Sequence, residues 1–307
     1  MLTRTRPTAT TPSFGNGIAL VLLTSCLFAG SDATIKHLGA SIPVLVLLWV
    51  RYMFQTATMA VWHFVRSRTF RFRSRAPALQ VIRGLLLVCN STASFYGVQH
   101  LPLAEFTALM LLAPVATAVL GAVVLKEPMS PARWAMVACG AAGMLIVVRP
   151  TGESALGWGA LLPIFSALCY AVFQLLTRRI ATIDDLVTTN FLSAGLVTFI
   201  VGVFLWISPV DVVPSLHDLP RAQWALIFLM GTFATTGQVS MAAAVREAPL
   251  SVLMPFAYAQ IGFAAAIGWL IFQQVPDRWA VGGFCLIGLG GVGTLWLSRQ
   301  AAPGREP

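Results

Sequence analysis

Apolar residues fill this chain in runs of about twenty, a length close to what one helix needs to cross a hydrocarbon core. Ten such runs can be drawn, at about 15–36, 43–65, 79–99, 103–125, 132–148, 157–177, 186–207, 222–243, 250–272 and 279–298. The breaks between them hold turn or charge signals. They fall at Gly39 to Pro43, Arg66 to Arg75, His100 to Pro102, Lys126 to Pro131 and Arg149 to Gly152, then at Arg178 to Asp185, Pro209 to Pro220, Arg246 to Pro249 and Val275 to Arg278. Unpaired backbone cannot face lipid, so each run is expected to be a helix. The pattern predicts an all-α integral membrane protein of ten transmembrane helices. The first run is too long for a cleaved signal and carries Asp32, so it is expected to be retained. Residues 1–13, rich in Thr, Pro and Arg, are expected to form a disordered tail.

The pattern repeats. Leu101–Pro150 reads as two apolar helices around the turn Lys126-Glu127-Pro128-Met129-Ser130-Pro131, and Pro249–Arg299 has the same design. Pro102-Leu103 answers to Pro249-Leu250, Gly121 to Gly268, Glu127 to Gln274, Arg133-Trp134 to Arg278-Trp279, and Gly143 to Gly288. More weakly, Gly15-Asn16-Gly17 answers to Gly157-Trp158-Gly159, Phe28 to Tyr170, Asp32 to Gln174 and Lys36 to Arg178. The expected division is a first five-helix repeat at 14–150, a second at 151–299 and a tail at 300–307. Five is odd, so the second copy enters the membrane inverted relative to the first. Inverted repeats are the architecture of alternating-access transporters, with a site near the midplane between the halves.

Composition strengthens the membrane reading. Of the 307 residues 57% are hydrophobic and only 10% charged, against roughly 25% charged in a soluble domain. The net charge of +9 raises nucleic acid as a partner, but the basic residues are scattered or confined to one loop, Arg66, Arg68, Arg71, Arg73 and Arg75. That loop reads as a cytoplasmic-side membrane anchor, so no nucleic acid is expected. With the N-terminus inside, fourteen Lys and Arg fall on inner segments and four on outer ones, which predicts that both termini are cytoplasmic. The cysteines lie one to a run without a C-x-x-C pair, and the histidines lack ligand spacing. No disulfide, metal or cofactor is expected.

Several stretches together resemble the EamA-type drug/metabolite transporter superfamily. They are Leu48-Trp49-Val50-Arg51-Tyr52, Ile82-Arg83-Gly84-Leu85, Leu101-Pro102-Leu103-Ala104-Glu105, Leu112-Ala113-Pro114, Lys126-Glu127-Pro128 and Gly143 through Pro150. The second half follows in length and order, with Gln274 where a Glu is usual. The resemblance implies ten helices in two EamA-like repeats and transport of a small metabolite across the bacterial inner membrane. Exporters of amino acids and related compounds are common in that superfamily, and importers and exchangers also occur.

Polar groups at membrane depth are costly and face the bundle interior by default. Asp32 pairs with Lys36 or Arg51 to fix helix packing, serves substrate or proton, or stands exposed at the outer end of its span. Arg51 either partners Asp32 or holds a substrate carboxylate in a bidentate fork. Asn90 and Ser94, Tyr170 and Gln174, Phe256 and Gln260, and Gln238 sit mid-run, where they bond a neighbouring helix or line a shared cavity. Phe28, Tyr170, Phe256 and Tyr258 would give that cavity aromatic walls, suiting a mostly apolar zwitterion. The expected substrate-binding set is Asp32, Arg51, Asn90, Ser94, Tyr170, Gln174, Gln238, Phe256 and Gln260, and Asp32 and Glu105 are the candidates for coupling or gating. Glu105 reads first as a carboxylate capping a helix N-terminus. Arg83 is expected to snorkel to headgroups. Pro114, Pro163 and Pro255 are expected to kink their helices.

The leading class is therefore a secondary transporter of a small metabolite, acting as monomer or homodimer and exporting an amino acid or related compound. The alternative is an importer or exchanger of a nucleoside-like metabolite such as S-adenosylmethionine. No G-x-x-x-x-G-K-[ST] loop is present, so ATP hydrolysis is not expected of the chain. An intramembrane enzyme needs paired carboxylates or a nucleophile with its base, and Asp32 stands alone among the carboxylates at depth.

Overall fold

A computed structural model of the chain describes residues 14–69, 71–100, 109–110, 112–126, 129–148, 158–208, 212 and 219–273. Beyond these it describes 278–279, 281–283, 285–286, 289–290 and 293. The expected tails, Glu105, Glu127, Gln274 and much of the tenth run lie outside the described residues.

Every regular element among the described residues is helical. In chain order the helices are α1 (Phe14–Leu38), α2 (Val44–Ser67), α3 (Pro77–His100), α4 (Leu112–Val124), α5 (Pro131–Val148) and α6 (Trp158–Ile180). There follow α7 (Leu186–Ile207), α8 (Arg221–Glu247), α9 (Leu250–Ala257) and α10 (Ala259–Phe272). The last two divide one predicted run at Tyr258, about one turn past Pro255. Seven stretches among the described residues are long and apolar enough to span a bilayer, from Gly15–Leu38 to Val252–Ile271. The chain is an all-helical, multi-pass membrane protein.

Local chemistry sets several helix ends. Pro43, Pro220 and Pro249 precede α2, α8 and α9, where a fixed φ suits helix entry and no N–H is needed. Asp185 caps α7 by accepting from the Val187 N–H at 3.1 Å, satisfying one of the free donors of a helix start.

The packing pairs the first half of the chain with the second. α1 lies against α8 and α3 against α6, while α2 lies against α7. α3 touches α7 as α8 touches α2, and α1 touches α9 and α10 as α6 touches α4. Small residues allow the close approaches. Phe28 of α1 presses on Gly237 of α8, where a Cβ would meet its ring at 2.7 Å. Phe233 of α8 presses reciprocally on Gly30 of α1 at 2.8 Å. Two apolar clusters result. One is built on Leu47, Leu48, Phe173 and Val197, the other on Ile18, Val137, Val245 and Leu253. Between them lies a cavity.

Candidate functional site

The cavity holds about 200 Å³ and is walled by helices from both halves of the chain. α1 presents one face to it, Val21, Thr24, Ser25, Phe28 and Asp32. α3 presents another, Leu87, Asn90, Ser91, Ser94 and Phe95. Those spacings of three and four are the repeat of a single helical stripe. Arg51 and Tyr52 come from α2, Tyr170 from α6, and Gln238 and Met241 from α8. Met110, Ala113 and Pro114 lie beside Met254, Ala257, Gln260 and Ile261 on the remaining side.

Hydrogen bonds from lining groups fix these walls. Tyr52 Oη and Ser91 Oγ meet at 2.6 Å, joining α2 to α3. Ser166 Oγ donates to Asn90 Oδ1 at 2.8 Å, joining α6 to α3. Thr24 Oγ1 donates to the Gly237 carbonyl at 3.2 Å, joining α1 to α8. Gln260 Nε2 donates to Asp32 Oδ2 at 3.2 Å, joining α10 to α1.

The two charges are left differently. Asp32 is accessible from the cavity it lines, and the Arg51 charge acts on it. Yet among the described residues no ion pair joins Asp32 to Arg51. Arg51 rests over the Tyr52 ring, 5.4 Å from its centroid, and its Nε is buried with no hydrogen-bond partner. A buried donor without an acceptor is costly. The site thus offers one carboxylate and one guanidinium to whatever enters. Among the described residues no three His, Cys, Asp or Glu gather for a metal ion.

Seven of the nine expected binding residues line this cavity: Asp32, Arg51, Asn90, Ser94, Tyr170, Gln238 and Gln260. Gln174 and Phe256 do not. Gln174 is buried behind the lining and donates to Tyr170 Oη at 3.0 Å, so it positions that phenol. Phe256 packs in the second apolar cluster. Tyr258 also turns away, buried against Gly140 of α5. Glu105 lies outside the described residues. The sequence reading missed Thr24, Ser25, Tyr52 and Ser91 and the methionines Met110, Met241 and Met254. The α1 stripe at 21, 24, 25, 28 and 32 was the signal that could have found the first two.

Beyond the cavity, the bundle is sealed on the side of the turn between α6 and α7. Arg83 sits seven residues before Asn90 on α3, about 10 Å along the helix at 1.5 Å per residue. It does not snorkel, being 1% exposed. Its Nε donates to Thr177 Oγ1 at 2.8 Å, its Nη1 to the Thr189 carbonyl at 3.0 Å and to Ser193 Oγ at 2.5 Å. The guanidinium also lies over the Phe173 ring at 4.2 Å. These acceptors on α6 and α7 satisfy the fork inside the bundle, so no reach to headgroups is needed.

Closer to that end, Asp184 gathers the loops. It accepts from Ser74 Oγ, from the Arg75 N–H at 2.8 Å and from Gln80 Nε2 at 2.8 Å. Its own carbonyl accepts from Arg246 Nη2 at 2.6 Å. Burial alone would raise the Asp184 carboxyl, but these three donors and the Arg75 charge outweigh it and hold the group below its ordinary value.

The EamA-like transporter family matches the chain twice, over residues 15–149 and 157–296. A pseudopaline exporter of Pseudomonas aeruginosa is 23% identical, covering 89% of this chain and 93% of its own. An S-adenosylmethionine uptake transporter of Rickettsia prowazekii is 23% identical, covering 89% and 90%. A riboflavin transporter of Rhizobium johnstonii is 26% identical over 78% and 81%. One solved crystal structure superposes with a TM-score of 0.77 at 15% identity, covering 93% of this chain and 98% of that one. It shares the fold. The chain belongs to the EamA-like transporter family.

Proposed function

We propose that this member of the EamA-like transporter family is a secondary transporter that exports a zwitterionic metabolite, an amino acid or a related compound, across the bacterial inner membrane. The observation that carries the substrate class is the pair of charges in one cavity, Asp32 and Arg51, with no ion pair between them. A substrate ammonium would face the carboxylate of Asp32. A substrate carboxylate would take the guanidinium fork of Arg51. Phe28, Phe95 and the three methionines would then wrap an apolar side chain, methionine being the side chain best able to adapt its shape. Asn90, Ser94, Tyr170, Gln238 and Gln260 complete the proposed binding set.

The proposed mechanism is alternating access between two inverted five-helix repeats, 14–150 and 151–299, with ten crossings and both termini cytoplasmic. The exchange relation in the packing supports it, since α1 on α8 answers to α6 on α3, α3 on α7 to α8 on α2, and α1 on α9 and α10 to α6 on α4. The double family match supports the same division. A sealed layer around Arg83 and Asp184, on one side of a cavity that reaches solvent, is what a single-side-open state would have. Asp32 is the proposed coupling group, because its counterpart in the second repeat is the neutral Gln174.

The test is flux in proteoliposomes carrying the full chain. L-Phenylalanine, L-methionine and S-adenosylmethionine share the ammonium–carboxylate head; phenethylamine and 3-phenylpropanoate each lack one half of it. Efflux of the zwitterions with neither half-analogue moving, and loss of that discrimination in Arg51→Gln, is the expected result. Equal flux of the half-analogues would sink the zwitterion site. The uptake relative favours a second reading, import or exchange of S-adenosylmethionine. Influx of that solute against the efflux of the others separates the two.

A further inference from the structure

The connection from α2 to α3 carries Arg66, Arg68, Arg71, Arg73 and Arg75 within ten positions, and all five are exposed. Among the described residues no carboxylate closes an ion pair on the first four. Asp184, the acid that faces this connection, is occupied by Ser74, by the Arg75 backbone and by Gln80. The four guanidinium groups without a carboxylate partner repel one another, and an external anion would relieve that repulsion.

A topological anchor needs positive charge but no fixed shape. From Phe72 to Ala76 this loop is held in place. Phe72 stacks on Phe191 of α7 with centroids 3.7 Å apart and planes 9° apart, and His63 of α2 lies 4.3 Å from the Phe72 ring. Two residues on, Ser74 and Arg75 are tied to Asp184. Burial then alternates: Phe72, Ser74 and Ala76 are half-buried, and Arg71, Arg73 and Arg75 are exposed between them. The inward positions hold the loop, which leaves the guanidinium groups together on its outer side. Immediately before it, α2 exposes Trp62, Phe64 and Val65, apolar side chains suited to the boundary between headgroups and acyl chains. The arginines therefore stand at headgroup level beside a lipid-facing helix.

We propose that this loop is a binding site for anionic phospholipid headgroups, with Arg71 and Arg73, assisted by Arg66 and Arg68, forking onto phosphate oxygens. Guanidinium groups match phosphate in a bidentate geometry that choline headgroups, with their own cation, oppose. The acyl chains lie along the Trp62–Val65 face of α2. Through Ser74 and the Arg75 backbone, an occupied loop also braces the Asp184 junction. The site stands apart from the cavity.

The test is native mass spectrometry of the full-length protein given equal amounts of phosphatidylglycerol and phosphatidylcholine with identical acyl chains. The wild type is expected to retain phosphatidylglycerol about tenfold over phosphatidylcholine, the preference that one to two surface arginines supply. R71Q/R73Q is expected to erase that preference and R71K/R73K, which keeps the charge but not the fork, to keep only part of it. R66Q/R68Q, a second variant at the far end of the loop, is expected to lower it. Excess inorganic phosphate is expected to leave the lipid bound. Equal retention of the two lipids, a preference unchanged in R71Q/R73Q, or displacement by phosphate alone would each overturn the proposal, the last by making the site one for a soluble anion.

Discussion

Gln260 on α10 reaches across the cavity to α1 and donates its Nε2 hydrogen to Asp32 Oδ2 at 3.2 Å. One cavity wall is thus stitched to the other by a neutral donor on a carboxylate that forms no ion pair with Arg51. Replacing Asp32 by Asn keeps the shape and the acceptor but removes the charge. The expected outcome is flux lowered at least about tenfold, equivalent to 1.4 kcal/mol in the transition state, with any pH dependence of transport flattened. Flux in proteoliposomes across pH 5–8 checks it. A variant with the wild-type rate and the wild-type pH profile would remove Asp32 from the mechanism.

Gly237 and Gly231 lie on the same helix, yet a methyl group at each has a different exit. At Gly237 the new Cβ meets the Phe28 ring at 2.7 Å, and Phe28 borders empty cavity into which it can swing. At Gly231 it meets Phe54, including Phe54 Cβ at 3.2 Å, in a contact that also packs Phe54 edge-on to Phe228. Gly237→Ala is therefore expected to narrow the cavity, cutting flux of bulky solutes more than small ones, with a stability cost of about 1 kcal/mol. Gly231→Ala is expected to cost more, about 2–3 kcal/mol, without changing solute preference. Thermal unfolding in detergent together with relative flux of alanine and phenylalanine separates the two.

These contrasts show what the sequence could and could not carry. Asp32, Arg51, Asn90, Tyr170, Gln238 and Gln260 were legible because polar atoms at membrane depth have few places to go. Ser91 and Tyr52 were not, because each sits beside a stronger signal and gives only a hydroxyl. The methionines were silent, since a methionine facing a cavity and one facing a core read alike. Gln174 and Arg83 mark the deeper limit. Whether a polar side chain meets solvent, headgroup or a neighbouring helix depends on helix rotation, which a pattern of spans leaves open. Among the described residues the helices of the first nine runs were readable from run length alone, apart from the division of the ninth run at Tyr258.

Arg83 is expected to be intolerant for structural reasons. Its fork holds Thr177 of α6 with Thr189 and Ser193 of α7. Arg83→Ala leaves two hydroxyls and the Thr189 carbonyl short of a donor and opens a void beside Phe173. A loss of about 3 kcal/mol is expected from unmet hydrogen bonds of this kind, and Arg83→Lys, which keeps the charge but not the fork, should recover only part of it. Melting temperature of the purified variants checks this. An Arg83→Ala protein as stable as the wild type would mean that the fork contributes nothing to holding α3 on α6 and α7.

Asp184 gives the pH prediction. Its carboxyl is held below the ordinary value in the folded protein, so it binds fewer protons folded than unfolded near its titration. The stability it contributes is fully present above the unfolded value, near 3.9, and is lost as pH falls through the folded value. At neutral pH Asp184→Asn is expected to lower stability by about 2 kcal/mol, the range for hydrogen bonds to a charged group. It loosens the α2–α3 loop from the α6–α7 turn. The difference between the two proteins is expected to stay constant from pH 8 to about 5 and to shrink only in more acid solution. Unfolding midpoints of both proteins over that range decide it, and a difference that instead grows on acidification would mean that the carboxylate is not what ties these loops together.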